Sequence, residues 1–175
     1  MQWKGEQEKK MEKYRDLALK LKMRNARVIA PQEMVFDIRT LLKCHWGCEN
    51  HDNQSFKCQK RDTLYEERLK MIQAYSHILM VHANNGQDVS RAVLEIERQA
   101  FLDGHHLAFA IRYCSLCKKC AVDEGCACVQ PLKVRPCEAI FGIDVYATAK
   151  LHNLPCHPLK DKDEVQNRYG FVCVS

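Results

Sequence analysis

The sequence predicts an α+β (or α/β) fold, with a small central sheet of about four strands flanked by helices and with cysteine-rich metal-binding loops. Short apolar runs that suit buried strands alternate along the chain with longer segments that have helical spacing of apolar residues. A length of 175 residues is enough for one domain with its own hydrophobic core. We assign residues 1–24 to an N-terminal helical extension and residues 25–175 to a single cysteine-rich metal-binding domain.

The first third of the chain predicts a helix, a strand and a loop. Residues 6–23 are charged but place apolar side chains at roughly helical spacing, which predicts a helix. Residues 27–30 predict a short strand that Pro31 closes. Residues 32–43 fit either a helix begun by the proline or a strand. Residues 44–61 predict an irregular loop rich in His, Asn, Asp and Cys.

The rest of the chain predicts three helices alternating with three strands. The apolar run SHILMVH is bounded by ANNG, which favours a buried strand, and a serine that can cap a helix follows soon after. The predicted elements are, in order, a helix at 62–74, a strand at 76–82, a helix from Ser90 to Gly104, a strand at 106–113, a helix at 136–151 and a strand at 169–174.

Composition argues against nucleic-acid binding and against a membrane protein. The 27 basic and 22 acidic residues are spread along the chain, and no basic run is interleaved with stacking aromatics. No apolar stretch is long enough for a secretory signal or a membrane span. We therefore expect a cytoplasmic protein. Thiols stay reduced in that compartment, so the 11 cysteines indicate metal or redox chemistry.

The strongest functional signal is YCSLCKKCAVDEGCACVQP, residues 113–131. Its first three cysteines, Cys114, Cys117 and Cys120, are each separated by two residues, so each thiolate can bind a different iron of a cubane cluster. Zinc sites more often use one such pair, completed by a distant pair or by histidines. The spacing therefore favours a [4Fe-4S] cluster over zinc. It leaves the fourth ligand open between Cys126 and Cys128.

A second cysteine group lies in CHWGCENHDNQSFKC. Its members Cys44, Cys48 and Cys58 have less diagnostic spacing. With a histidine they could hold a second cluster or a zinc ion, and unligated loop thiols are the alternative. Two of the remaining cysteines are interpreted as packing residues, Cys137 as a cap-like residue at a helix start and Cys173 as a small buried hydrophobe.

The segment YCSLCKKCAVDEGCACVQPLKVRPCEAIFGIDVYATAKLHNLP resembles a family of cysteine-rich predicted metal-binding proteins, domain of unknown function 2284. The family pattern is C-x2-C-x2-C, a further cysteine with a proline behind it, and then a tail that contains R-P-S, E-A and G-I-D-V in that order. The resemblance covers most of residues 25–175, and it implies iron–sulfur binding with no established reaction. It also implies that Cys126 is an extra thiol. The positions that match the family pattern are Cys114, Cys117, Cys120, Cys128, Pro131, Arg135, Pro136, Glu138, Ala139, Gly142, Ile143, Asp144 and Val145.

Two positions depart from that pattern. Cys137 stands where the family has serine, and Cys58 is followed by Gln59 and Lys60 where the family has two prolines. The resemblance therefore supports the later cysteine group more strongly than the earlier one.

These residues favour an iron–sulfur protein that passes electrons to a redox partner or serves a larger redox complex. No nucleotide-binding glycine pattern is present in the sequence. The first alternative is an enzyme with an open iron near the earlier cysteine group, with Asp144 and Glu138 either as acid–base groups or as helix-surface carboxylates. The second alternative is a zinc-stabilised interaction module. The sequence leaves open whether the protein is an enzyme.

Overall fold

The computed structural model describes residues 2–51 and 61–175, with side chains from Met11 onward. Its four strands form one sheet in the order β1-β2-β4-β3, and each neighbouring pair is antiparallel. This confirms the α+β form of the predicted fold. No described helix is both long enough and apolar enough to cross a membrane. The elements are α1 (Gln2–Lys20), β1 (Asn25–Ile29), α2 (Ile38–Gly47), α3 (Tyr65–Gln73), β2 (Ile78–Ala83), α4 (Gly86–Leu102), β3 (Phe109–Ile111), α5 (Val145–Leu151) and β4 (Arg168–Cys173).

Both faces of the sheet are covered, which explains why β2 is buried at every position. Side chains alternate between the faces of a strand. Leu79 and Val81 belong to a core shared with α1 and α4, whereas Ile78 and Met80 belong to a second core shared with α3, α5 and the segment between β3 and α5. The segments that carry the cysteines lie on the face of the sheet with this second core and at the end of β3.

Helix α2 resolves the ambiguity at residues 32–43 and corrects the predicted loop. The Asp37 carboxylate accepts a hydrogen bond from the Arg39 N–H at 2.8 Å, which begins the helix. The helix continues through Cys44 to Gly47, so the predicted start of the irregular loop at residue 44 is wrong. Cys44 therefore lies on a rigid helical turn.

Helix α4 begins earlier than predicted. Asn85 caps it by accepting a hydrogen bond from the Gln87 N–H at 2.8 Å, so Ser90 is not the cap. Ser90 lies inside the helix, where its hydroxyl donates to the Tyr113 carbonyl and accepts from the Ser115 N–H. A serine inside a helix is tolerated when its hydroxyl finds such partners. This residue ties α4 to the start of the later cysteine segment.

The predicted helix at residues 136–151 is two separate elements. A 3₁₀ turn at Glu138–Phe141 ends at Gly142, whose φ is +69°, and α5 then begins behind Asp144. The left-handed conformation at Gly142 stops the helix, and a Cβ there would lie 2.8 Å from the Tyr65 ring. The predicted strand at 106–113 is also shorter, because only Phe109–Ile111 pairs with β4.

Candidate metal centre

The later cysteine segment leaves the sheet at the end of β3. Its start is anchored by the Ser115 N–H, which donates to the Ser90 hydroxyl at 3.2 Å, and by Leu116, which is 8% exposed. The next residues form a 3₁₀ turn at Ala121–Glu124 and a second at Pro131–Lys133. The cysteines are therefore carried by a loop that is fixed mainly at its base.

Four thiols of this loop line one cavity of about 220 Å³. That volume is several times the ~30 Å³ that one water occupies in the liquid, so the cavity has room for a group larger than a single ion. Among the described residues, no three His, Cys, Asp or Glu side chains are grouped tightly enough to hold one metal ion directly. The thiols stand instead around the wall of the cavity. They are Cys114, Cys117, Cys120 and Cys128, each partly buried and each a free thiol.

The surroundings of Cys114 raise the pKa of its thiol. Burial raises the pKa of the Cys114 thiol, a hydrogen bond from the Leu116 N–H opposes this, and the neighbouring Cys120, Cys128 and Cys117 raise the pKa further. The Gln130 amide donates to the Cys117 sulfur at 3.7 Å. Four thiolates in one cavity would repel one another, whereas bound metal cations would stabilise the negative charge of all of them.

Cys126 lies outside this cavity. It is exposed, and its thiol donates to the Glu124 carbonyl at 3.9 Å. Gly125, with φ of +75°, ends the 3₁₀ turn and allows the Cys126 N–H to bond back to the Ala121 carbonyl at 2.8 Å. This tight local turn directs Cys126 away, while Cys128 returns to the cavity wall.

Two members of the earlier cysteine group face a second cavity. Cys44 and Cys48 lie one helical turn apart at the end of α2, where the Cys48 N–H donates to the Cys44 carbonyl at 3.2 Å. Both line a cavity of about 720 Å³ between α2 and the segment from Cys137 to Tyr146. The third predicted member, Cys58, lies outside the described residues.

Cys137 is the thiol that the sequence interpretation missed. It occupies the cap position before the 3₁₀ turn, but its side chain makes no capping hydrogen bond. Its thiol instead shares a hydrogen bond with Cys44. That hydrogen bond, then burial, then the charge of Glu138 raise the pKa of Cys137 strongly. The one sequence signal for it was the cysteine in place of the family's serine.

The two carboxylates considered as acid–base groups have structural partners. Glu138 is 8% exposed, accepts a hydrogen bond from the Tyr113 N–H at 3.3 Å and pairs with Arg112, so its interpretation as a helix-surface carboxylate is wrong. Asp144 caps α5 by accepting from the Ala147 N–H at 2.8 Å. Both line the larger cavity.

The two cavities are neighbours, because Tyr113 lines both of them. Cys114 follows Tyr113 in the chain. The carboxylate of Glu138, the residue after Cys137, accepts a hydrogen bond from the Tyr113 N–H. The later cysteine group and the Cys44–Cys137 pair are thus joined through one residue and one hydrogen bond.

Comparison with known proteins agrees with the metal-binding chemistry. No curated protein and no solved structure matches the chain. A family described as "Predicted metal-binding protein (DUF2284)" matches residues 27–174. The match spans both cysteine groups and the sheet from Arg27 in β1 onward, and it leaves out α1. On this evidence the chain belongs to the DUF2284 family of predicted metal-binding proteins.

Proposed function

We propose that the protein binds a [4Fe-4S] cluster through Cys114, Cys117, Cys120 and Cys128 and transfers electrons with it, as a carrier or as an accessory subunit of a redox complex. The observation that carries this proposal is the common cavity of about 220 Å³ that these four thiols line. Each thiolate of such a set can bind a different iron of a cubane. When bound, the cluster supplies one-electron redox chemistry.

The surroundings of the cavity suit an anionic cluster that exchanges electrons with a partner. Lys118 lines the cavity, and positive charge beside a thiolate-ligated cluster favours its reduction. Val129 and Leu132 are 69% and 90% exposed in the same segment, with Lys133 next to them. Exposed apolar side chains in a segment that also carries lysines favour contact with an acidic redox protein.

Zinc bound by four cysteines is the competing use of the same residues. Anaerobic purification followed by iron, sulfide and zinc analysis distinguishes the two, and electron paramagnetic resonance after reduction identifies the cluster type. We expect about four irons and four sulfides per chain, as a single cubane requires. A colourless protein that carries zinc without iron or sulfide would overturn the proposal.

A second centre at the earlier cysteine group would have its own signature. A further cluster held by Cys44, Cys48 and Cys58 would raise the iron content to about eight per chain. Binding of substrate to such an open metal is the enzymatic alternative, and the cavity of about 720 Å³ has the size of a small-molecule site. The same metal analysis measures this centre directly.

A further inference from the structure

A separate cavity, the α4 groove, lies between α4 and the end of the later cysteine loop. Its volume of about 800 Å³ falls within the ~300–1,000 Å³ typical of small-molecule sites. The α4 wall is formed by residues three or four positions apart, which share one face of a helix. They are Arg91, Leu94, Glu95, Arg98 and Phe101. A rigid helix therefore forms one side of the groove, and the loop forms the other.

Part of the groove is apolar. Leu116 is 8% exposed and lines it from the loop, and the partly buried Leu94 and Ala108 extend the same surface. Phe101 is 53% exposed, so more than half of it is open to solvent. Covering such apolar surface with an apolar ligand is favourable.

The two carboxylates of the groove are already paired. Nη2 of Arg98 lies 2.7 Å from Oε1 of Glu95, and Nη2 of Arg135 lies 2.7 Å from Oε2 of Glu97. Glu97 is only 8% exposed and also accepts a hydrogen bond from the Ala110 N–H at 2.9 Å. Because Glu97 belongs to α4 and Arg135 to the loop, this buried contact fixes the two walls against each other. The groove is therefore preformed.

Two cations of the groove remain unpaired. Arg91 on α4 and Lys133 on the facing 3₁₀ turn are exposed, and within the described part of the chain neither makes an ion pair or a side-chain hydrogen bond. Four basic and two acidic side chains line the groove, so a charge of +2 remains. Unpaired cations beside an apolar surface complement an anion that has an apolar body.

We propose that the α4 groove binds a small organic dianion, an apolar body with two carboxylates, which Arg91 and Lys133 hold from opposite walls. The apolar body covers Phe101 and Leu94. Arg91 can bind a carboxylate through two parallel N–H···O bonds, and Lys133 acts as a point charge. The competing occupant of the same surface is an acidic segment of another protein.

The α4 groove is distinct from the metal site but adjoins it. No cysteine of the described chain lines the groove. Leu116 and Gln130 line both the groove and the smaller cysteine cavity, and the Gln130 amide donates to the Cys117 sulfur at 3.7 Å. The dianion site does not depend on which metal the loop binds, but it requires an ordered loop. Its binding is therefore measured on metal-loaded protein.

Three naphthalene probes separate charge from apolar contact. They are naphthalene-2,6-dicarboxylate, 2-naphthoate and 2-naphthylmethanol, and isothermal titration calorimetry at physiological ionic strength measures their affinities. Each charged hydrogen bond contributes enough to give about tenfold in affinity, so we expect the dianion to bind more tightly than the monoanion, and the monoanion more tightly than the alcohol. Equal affinities for the three probes, or no binding of the dianion, would overturn the proposal.

Single variants locate the site. Arg91→Gln and Lys133→Gln should each weaken dianion binding by about tenfold and leave binding of the alcohol unchanged. Lys150→Gln is the matched control, because it removes the same charge from an exposed lysine of α5 outside the groove, and it should bind as the parent does. Phe101→Ala should weaken all three probes by a similar factor. An equal loss in Lys150→Gln would show that the overall charge attracts the dianion, and the site would be wrong.

Hexaglutamate tests the competing occupant. If it binds in a way that depends on Arg91 and Lys133 while the dianion does not bind, the groove docks an acidic protein segment and the small-molecule proposal is overturned. Metal analysis of the same samples separates this result from the proposed function. Zinc in place of iron and sulfide would overturn the proposed cluster, and the probe series would still decide whether the groove binds the dianion.

Discussion

Arg112 and Glu138 form a buried ion pair at the larger cysteine-lined cavity, with Nη1 of Arg112 3.3 Å from Oε1 of Glu138. Their side chains are only 9% and 10% exposed. Arg112 follows β3 and lines a small cavity together with Cys114, whereas Glu138 follows Cys137. The pair therefore joins the end of the sheet to the 3₁₀ turn and fixes the relative positions of both thiol sites.

Glu138→Ala should destabilise the protein by about 3 kcal/mol, because it leaves the buried Arg112 guanidinium without its carboxylate. Urea unfolding monitored by circular dichroism measures the change. Glu95→Ala is the matched control, since it breaks the exposed Arg98–Glu95 pair, whose N–O distance is 2.7 Å, and exposed pairs contribute little. Equal unfolding midpoints for the two variants would show that the buried pair is not required for stability.

Cys120→Ala should lose the visible absorbance of the cluster, whereas Cys126→Ala should keep it. Cys120 lines the smaller cavity, and Cys126 is exposed with its thiol turned to the Glu124 carbonyl. Anaerobic absorbance and iron content per chain are the measurements. The opposite result for the two variants would show that the proposed ligand set is wrong.

Gly142→Ala should cost more stability than Gly104→Ala. Both glycines have positive φ, at +69° and +97°. An alanine at either position therefore loses roughly 1–2 kcal/mol of stability, because an L-residue is strained in the left-handed region. At Gly142 the new Cβ also meets the Tyr65 ring at 2.8 Å, whereas Gly104 has open space. Thermal or urea unfolding of the two variants gives the difference, and equal losses would exclude a role for the Tyr65 contact.

His82 should make the protein less stable as the pH falls below about 6.5. Burial lowers the pKa of His82 from 6.5, the hydrogen bond with Asn167 opposes the shift, and the charge of Arg24 adds to it. Between 6.5 and the lower folded-state pKa the unfolded chain binds the extra proton, so the free energy of unfolding decreases with falling pH. Below the folded-state pKa this contribution is constant.

The decrease in the free energy of unfolding with falling pH can be assigned to His82 by substitution. Urea unfolding at several pH values between 7.5 and 5 is compared for the parent and for His82→Gln, and the variant should show a smaller loss on acidification. Parallel curves would show that another group is responsible.

Removing the metal should loosen the later cysteine loop and leave the sheet intact. Between residues 114 and 135, Leu116 is the one apolar side chain among the buried core residues described, whereas Val129 and Leu132 are exposed. The sheet core around Phe171 is formed without this loop. Hydrogen exchange of chelator-treated protein should speed up at 114–135 and stay slow in β2 and β4. Exchange that rises equally in the strands would contradict this expectation.

The apolar runs at 76–82 and 169–174 predicted two of the strands because a strand buried on both faces is apolar at nearly every position. Periodicity predicted helices near the observed positions, but not where each begins. Helices α4 and α5 start at Gly86 and Val145 because the side chains of Asn85 and Asp144 accept hydrogen bonds from the first turn of each helix. Other residues nearby in the sequence could also have served as caps.

The sequence by itself determined a small sheet flanked by helices, the metal-binding family and the cysteine triplet, because strand burial, helical periodicity and ligand spacing are properties of neighbouring residues. The antiparallel pairing that makes the fold α+β and not α/β came from the tertiary structure. Tertiary structure decided the rest. Cys44 and Cys137 are far apart in the chain and line one cavity only because α2 packs on the 3₁₀ turn behind β3. Glu138 is buried only because Arg112 reaches it from the end of the sheet. Contacts between segments that are distant in the chain produce no recognisable residue pattern in the sequence, so only the folded structure reveals them.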